Sequence, residues 1–141
     1  MQRLGIFGAS GYLGSYLIES ASNAGIRVIA FVRKLPPHSL MRNPRVEYRE
    51  VDVTCPNSLR GQLLDCDMIV TSVGITRQKE GFSYEDIDYR ANLNILREAQ
   101  KSDIKKFIYI GVFKGNTFTQ TDLCKAKERS SKIVTTCSIA N

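Results

Sequence analysis

The chain is poor in metal ligands and in long apolar runs. It has one histidine, His38, and four cysteines, Cys55, Cys66, Cys124 and Cys137, no two of which form a C-x-x-C pair. This excludes the usual Cys/His zinc arrangements, whose ligands recur at short fixed spacings, and no metal is expected. Reduced, mostly packed thiols are expected instead of a disulfide frame. No apolar run approaches the roughly 18 residues of a membrane span, and no charged segment with a cleavage site opens the chain. A cytoplasmic protein without a membrane partner is expected. Repeats, low-complexity tracts and evident linkers are also lacking. With 141 residues at 43% hydrophobic content, residues 1–141 are expected to form a single domain around one core.

What is present begins with Leu4-Gly5-Ile6-Phe7, an apolar strand, followed by Gly8-Ala9-Ser10-Gly11-Tyr12-Leu13-Gly14. With 10 glycines in 141 residues, a G-x-x-G-x-x-G pattern arises by chance in roughly one such chain in twenty, so context must carry the reading. After the glycines, Leu13, Leu17, Ala21 and Ala24 recur at helical spacing until Gly25 offers a stop, and Val28-Ile29-Ala30-Phe31-Val32 forms a second strand. This is one β-α-β unit of about thirty residues, the context of a dinucleotide phosphate site. Gly8 turns the chain out of the strand, Gly11 removes a Cβ that would hold a pyrophosphate away, and Gly14 lets helix and sheet approach. The phosphates then meet helix N–H groups that have no partner within the helix.

Beyond this unit the period keeps switching. Val46, Tyr48 and Val51 mark a half-exposed edge strand, Thr54 reads as the N-cap of a brief helix over 58–64, and Met68–Val73 is a fourth strand closed by Gly74. Ser83–Lys101 reads as a long amphipathic helix, Phe107–Ile110 as a fifth strand, 121–130 as a polar helix and Lys132–Ile139 as a sixth strand. Alternating strands and helices predict an α/β, doubly wound parallel sheet of Rossmann type with order 3-2-1-4-5-6.

The end of the second strand bears on the choice of cofactor. NAD sites place an acidic residue there against the ribose 2′-hydroxyl, whereas this chain has Arg33-Lys34, with Arg33 19 residues after Gly14. A guanidinium there clasps a 2′-phosphate, so NADP(H) is preferred over NAD(H), unless the pair is merely solvated. The net charge of +6 is concentrated in residues 97–132, with nine Lys or Arg against four acids. Solvated helix faces account for this excess better than a nucleic-acid surface, because no interleaved aromatic platform accompanies it.

By these residues the chain resembles the short-chain dehydrogenase/reductase superfamily, in its atypical or extended NAD(P)-binding branch, over residues 1 to about 129. The Gly8–Gly14 loop carries the resemblance first, implying cofactor contacts from Gly8, Ser10, Gly11, Tyr12, Leu13 and Gly14. Val51-Asp52-Val53-Thr54 matches the segment where the family's aspartate meets adenine, implicating Asp52 and Val53. Thr71-Ser72-Val73-Gly74 matches the backbone that passes the riboses, implicating Ser72, Val73 and Gly74. Asp88-Tyr89-Arg90-Ala91-Asn92 resembles the helix-four asparagine motif, and 108–113 the end of the fifth strand. Taken alone, Asp52 reads equally as a turn acceptor, Gly74 as a loop hinge and Asn92 as an ordinary helix-surface amide.

The superfamily's catalytic Tyr-x-x-x-Lys pair is absent, since no tyrosine here has lysine four residues later. The resemblance aligns Lys127 with that lysine, as a ribose contact or an exposed helix residue, but Leu123 with the tyrosine and Gly111 with a serine, so the catalytic residues are unassigned. Members also carry a further lobe after the sixth strand, so a C-terminally shortened chain is expected, with a second copy or a partner covering the exposed end. Three functions follow: an NADP(H)-dependent reductase or epimerase, or its cofactor-binding half; a non-catalytic NADP sensor; and, least favoured, a basic nucleic-acid-binding module.

Overall fold

The structure, a computed structural model, describes residues 1–74 and 89–110. Its elements are β1 (Arg3–Phe7), α1 (Tyr12–Asn23), β2 (Arg27–Val32), β3 (Val46–Glu50), α2 (Pro56–Leu59), β4 (Met68–Thr71), α3 (Asn92–Lys101) and β5 (Lys106–Tyr109). One 3₁₀ turn, His38–Leu40, lies between β2 and β3. All strand pairs are parallel and run in the order β3-β2-β1-β4-β5. This is the doubly wound order predicted for the first five strands. The expected sixth strand and the helix before it lie outside the described residues.

The central strands are buried on both faces, which is why they read as continuous apolar runs. On one face, Phe7, Ile29, Phe31 and Ile69 pack beneath Leu59, Leu63, Ile95 and Ala99, so α2 and α3 cover it. On the other, Leu4, Ile6, Val28, Ala30 and Val70 meet Leu17, Ile18 and Ala21 of α1. Phe7 and Phe31 are partners in register, and their rings stack at 4.3 Å and 8°. Truncating a fully buried member such as Ile95 to alanine costs about 2–5 kcal/mol. The edge strand β3 turns Val46 and Tyr48 toward the α1 side, as the half-exposed pattern predicts.

Three boundaries differ from the sequence reading. Helix α2 is shorter and starts after Cys55, which takes the N-cap position without a side-chain cap, while the Thr54 hydroxyl expected to cap it lies in the preceding turn and donates to Asp52 Oδ1 at 2.6 Å. Strand β4 stops at Thr71, where Ser72 turns its N–H to Phe7 O at 3.1 Å. The described part of the long helix has a wide π turn at residues 89–91 before α3 begins. The stop after α1 is a Schellman turn, with Gly25 N donating to Ser22 O and Ile26 N to Ala21 O.

Candidate functional site

The carboxyl ends of β1, β2, β3 and β4 converge on a cleft of about 400 Å³. Open α/β sheets bind ligands at this edge, where helices on opposite faces leave a crevice between β1 and β4. The cleft is lined by Gly8, Ser10 and Gly11 after β1, by Arg33 after β2, by Asp52, Val53 and Thr54 after β3, and by Ser72, Val73 and Gly74 after β4. Nine of the fourteen sequence-named residues therefore share one surface. Tyr12, Leu13, Gly14 and Lys34 do not line it, and Lys127 lies outside the described residues.

The glycines of the first turn have different jobs. Gly8 has φ +76°, and a Cβ there would sit 2.7 Å from the Ser72 hydroxyl that crosses over it. Gly14 is buried inside the turn, where a Cβ would overlap the Gly8 carbonyl oxygen and approach Ala9 Cα to 2.8 Å. Gly11 has ordinary φ −77°, and a Cβ would meet only Gly8 O at 3.3 Å. Its missing side chain serves the open space of the cleft instead of the fold.

Helix α1 begins at this turn with no side-chain cap and no acidic residue in its first turn. Its first N–H groups have no intrahelical acceptor, and the positive end of its dipole lies beside Gly8 and Ser10. Such a terminus fits an anion, and the first turn of α1 supplies no carboxylate to compete for it. Arg33 adds a cation from the end of β2. Lys34, next to it, is exposed outside the cleft.

Asp52 is held as a turn acceptor, since its Oδ1 takes the Thr54 N–H at 2.9 Å and the Thr54 hydroxyl, while its own N–H donates to Ser58 Oγ at 2.8 Å. This fixes one carboxylate oxygen and sets the direction of the other. The backbone of the cleft is clamped from α3. Asn92, 2% exposed, accepts from the Thr71 hydroxyl at 2.7 Å and donates to Val73 O at 3.1 Å. Asn94 donates to Val53 O at 3.0 Å. Two amides two residues apart thus hold opposite walls.

Sequence reasoning missed four lining residues, Phe31, Val32, Val51 and Thr54, as well as the Asn94 clamp. The first three were legible as strand ends, which face the crevice in this fold. Nothing in the sequence singles out Asn94. No group of three or more His, Cys, Asp or Glu suited to a metal occurs among the described residues, nor any helix long and apolar enough to cross a membrane.

Comparison with known proteins agrees with this geometry. The chain is 22% identical over 132 residues to photosystem II assembly factor Ycf39 of Synechocystis, covering 94% of this chain and 40% of that protein. It is 21% identical over 133 residues to the 40 kDa subunit of mitochondrial NADH-ubiquinone oxidoreductase from Neurospora crassa, with 92% and 36% covered. The chain thus spans about two fifths of the length of these curated relatives. Its fold superposes with TM-score 0.81 on the enzyme WbmH of Bordetella bronchiseptica in complex with NAD+, at 14% identity, over 96% of this chain and 52% of that one. The NAD(P)H-binding family profile matches residues 8–135. The chain belongs to that family, and its fold is that of an NAD(P)-binding Rossmann domain.

Proposed function

We propose that the cleft takes NADP(H) in preference to NAD(H), as the cofactor-binding part of a reductase or epimerase. The observation that carries this reading is the meeting of an uncapped helix N-terminus and Arg33 on one surface, with no acidic residue in the first turn of α1. The pyrophosphate sits against the Gly8–Gly14 turn, with the N–H groups of Tyr12 and Leu13 donating even though their side chains point elsewhere. Arg33, with Lys34 as a second and more distant cation, takes the 2′-phosphate. Asp52 and Val53 flank the adenine, and Ser72, Val73 and Gly74 flank the riboses, where Lys127 is also assigned. When bound, such a cofactor supplies hydride transfer; these residues bind and orient it.

The test is titration of the purified protein with NADP(H) and NAD(H), alongside Arg33→Asp. Loss of the guanidinium and gain of a carboxylate should weaken NADP(H) roughly 10²-fold while leaving NAD(H) unchanged or bound more tightly. Equal affinity for both cofactors, unmoved by the substitution, would remove the 2′-phosphate argument.

A second reading, a non-catalytic NADP sensor, is favoured by the missing Tyr-x-x-x-Lys pair. Among the relatives, one bears the name of an assembly factor and another that of a subunit of a larger enzyme, which suits a domain that binds a nucleotide and presents a surface. NADP(H) binding without nicotinamide-dependent turnover would select this reading.

A further inference from the structure

The amino ends of the strands carry a second polar cavity, on the opposite side of the sheet from the cofactor cleft. It measures about 140 Å³ and is lined by Arg3, Arg27, Arg45 and Arg49 with Glu47 and Asp65 over a floor of Val28 and Ile29. That is well above what a single ordered water needs and admits a small oxyanion. The arginines arrive there by register. Arg3 is the Cα partner of Arg27, and Val28 of Val46, so one step back Arg27 stands beside Arg45, whose carbonyl accepts the Val28 N–H at 2.8 Å. Three guanidinium-bearing residues therefore lie abreast on adjacent strands and on one face.

Like charges placed side by side on neighbouring strands repel one another, so this row opposes sheet formation unless something neutralises it. The two carboxylates in the wall are already engaged. Arg49 binds Glu47 through Nε at 2.6 Å and Asp65 through Nη2 at 2.8 Å, and Asp65 reaches Arg3 only at 3.7 Å. Among the described residues, Arg27 and Arg45 have no carboxylate within ion-pair distance. The lining carries four guanidiniums against two carboxylates, and the surplus lies on the two arginines that face each other across β2 and β3.

We propose that this cavity is an oxyanion site for a phosphate group, held by the forked N–H donors of Arg27 and Arg45 with Arg3 at its rim. Two guanidiniums match the tetrahedral oxygens of a phosphate, and the dianion removes the repulsion between them. The shared chemistry is the phosphoryl group, whether free or at the head of an ester. The site is separate from the cofactor cleft by the full length of β1 and β2.

The arginine Nε–Hε NMR signals of the intact chain report on this site during titration with inorganic phosphate, with sodium chloride at matched ionic strength as reference. The Arg27 and Arg45 signals should shift saturably with phosphate and not with chloride, and Arg27→Gln or Arg45→Gln should each weaken the isotherm roughly tenfold. Both positions are exposed, so the variants keep the fold, and Arg27→Lys should recover only part of the loss. Phenyl phosphate, run in parallel, distinguishes an ester, if it binds tighter, from the free ion, if it binds weaker. Shifts that fail to saturate, that chloride reproduces, or that survive both glutamine substitutions would overturn the proposal. Arg33→Asp should leave this isotherm unchanged, so the oxyanion site and the NADP(H) preference fail or stand separately.

Discussion

At the carboxyl ends of β1 and β4 the surface is made from backbone: a left-handed glycine, an uncapped helix start and a strand end clamped by a buried amide. At the amino ends of β1, β2 and β3 it is made from side chains, four arginines and two carboxylates reaching over a small floor. The difference lies in tolerance. A surface built from main chain demands close approach, so a single added carbon at the wrong position displaces an element. A surface built from long side chains absorbs substitution and loses affinity by degrees.

The largest break in that comparison should come at Gly14. Any Cβ there overlaps the Gly8 carbonyl oxygen, so Gly14→Val must push α1 off the turn. It should cost about 3 kcal/mol or more in urea unfolding and abolish cofactor binding with it. Gly11→Val separates the two effects. With ordinary φ and a single tight contact, to Gly8 O at 3.3 Å, that position strains the fold far less than Gly14 does. Stability should change by less than about 1 kcal/mol, while NADP(H) binding is lost because the side chain fills the space of the phosphates. Full affinity in the Gly11 variant would count against the loop as the phosphate cradle.

The clamp from α3 is the next in size. Asn92→Ala leaves the Thr71 hydroxyl without its acceptor and the Val73 carbonyl without its donor, in a position 2% exposed. Unsatisfied polar groups so deeply placed cost about 1–3 kcal/mol each, and the midpoint of urea unfolding should fall accordingly. Asn94→Ala, half-buried and holding a single carbonyl, should cost about 1 kcal/mol. If the Asn94 variant proves as damaging as the Asn92 variant, the two walls of the cleft are coupled and not held independently.

The same contrast explains what the sequence reveals. The carboxyl end was legible because its parts are contiguous: seven residues from Gly8 to Gly14 state a strand, a turn and a helix start, and Arg33 lies one short unit later. The strand order followed from alternation alone. The amino end was not legible, because Arg3, Arg27 and Arg45 are far apart in sequence and become neighbours only when the strand register is known. The Thr54 cap failed for a local reason of the same kind. Its N–H and hydroxyl both donate to the Asp52 carboxylate two residues back, which seats Thr54 in a turn ahead of the helix, and Cys55 takes the N-cap position.

A buried thiol gives a smaller effect near the amino end. Cys66 lies under the sheet, where burial pushes its thiol from an ordinary 9.0 up to about 12. The folded state then keeps it neutral where the unfolded chain would ionise. Its contribution to stability is complete below pH 9 and is lost as pH rises toward 12. Cys66→Ala should flatten that part of the stability profile relative to the parent chain. At neutral pH, iodoacetamide followed by peptide mass spectrometry should label exposed Cys55 and spare Cys66.

The smallest expected effect tests whether the amino end is as tolerant as its construction implies. Arg49 binds Glu47, the Gln62 carbonyl and Asp65, tying β3 to the segment that follows α2. Its hydrogen bond and charge hold the Asp65 carboxyl below the usual carboxylate range. A carboxylate with a depressed folded pKa adds stability above its unfolded pKa and loses it as pH falls through the folded one. In Arg49→Gln, the Asp65 carboxyl followed by NMR should therefore titrate closer to its ordinary value, and the acid limb of unfolding should become shallower. The fold should persist, because both carboxylate partners are exposed and water replaces the guanidinium there. Collapse of the fold in this variant would mean that the arginine clamp closes the amino end as strictly as Gly14 closes the other, and the distinction between a backbone surface and a side-chain surface would not hold for this sheet.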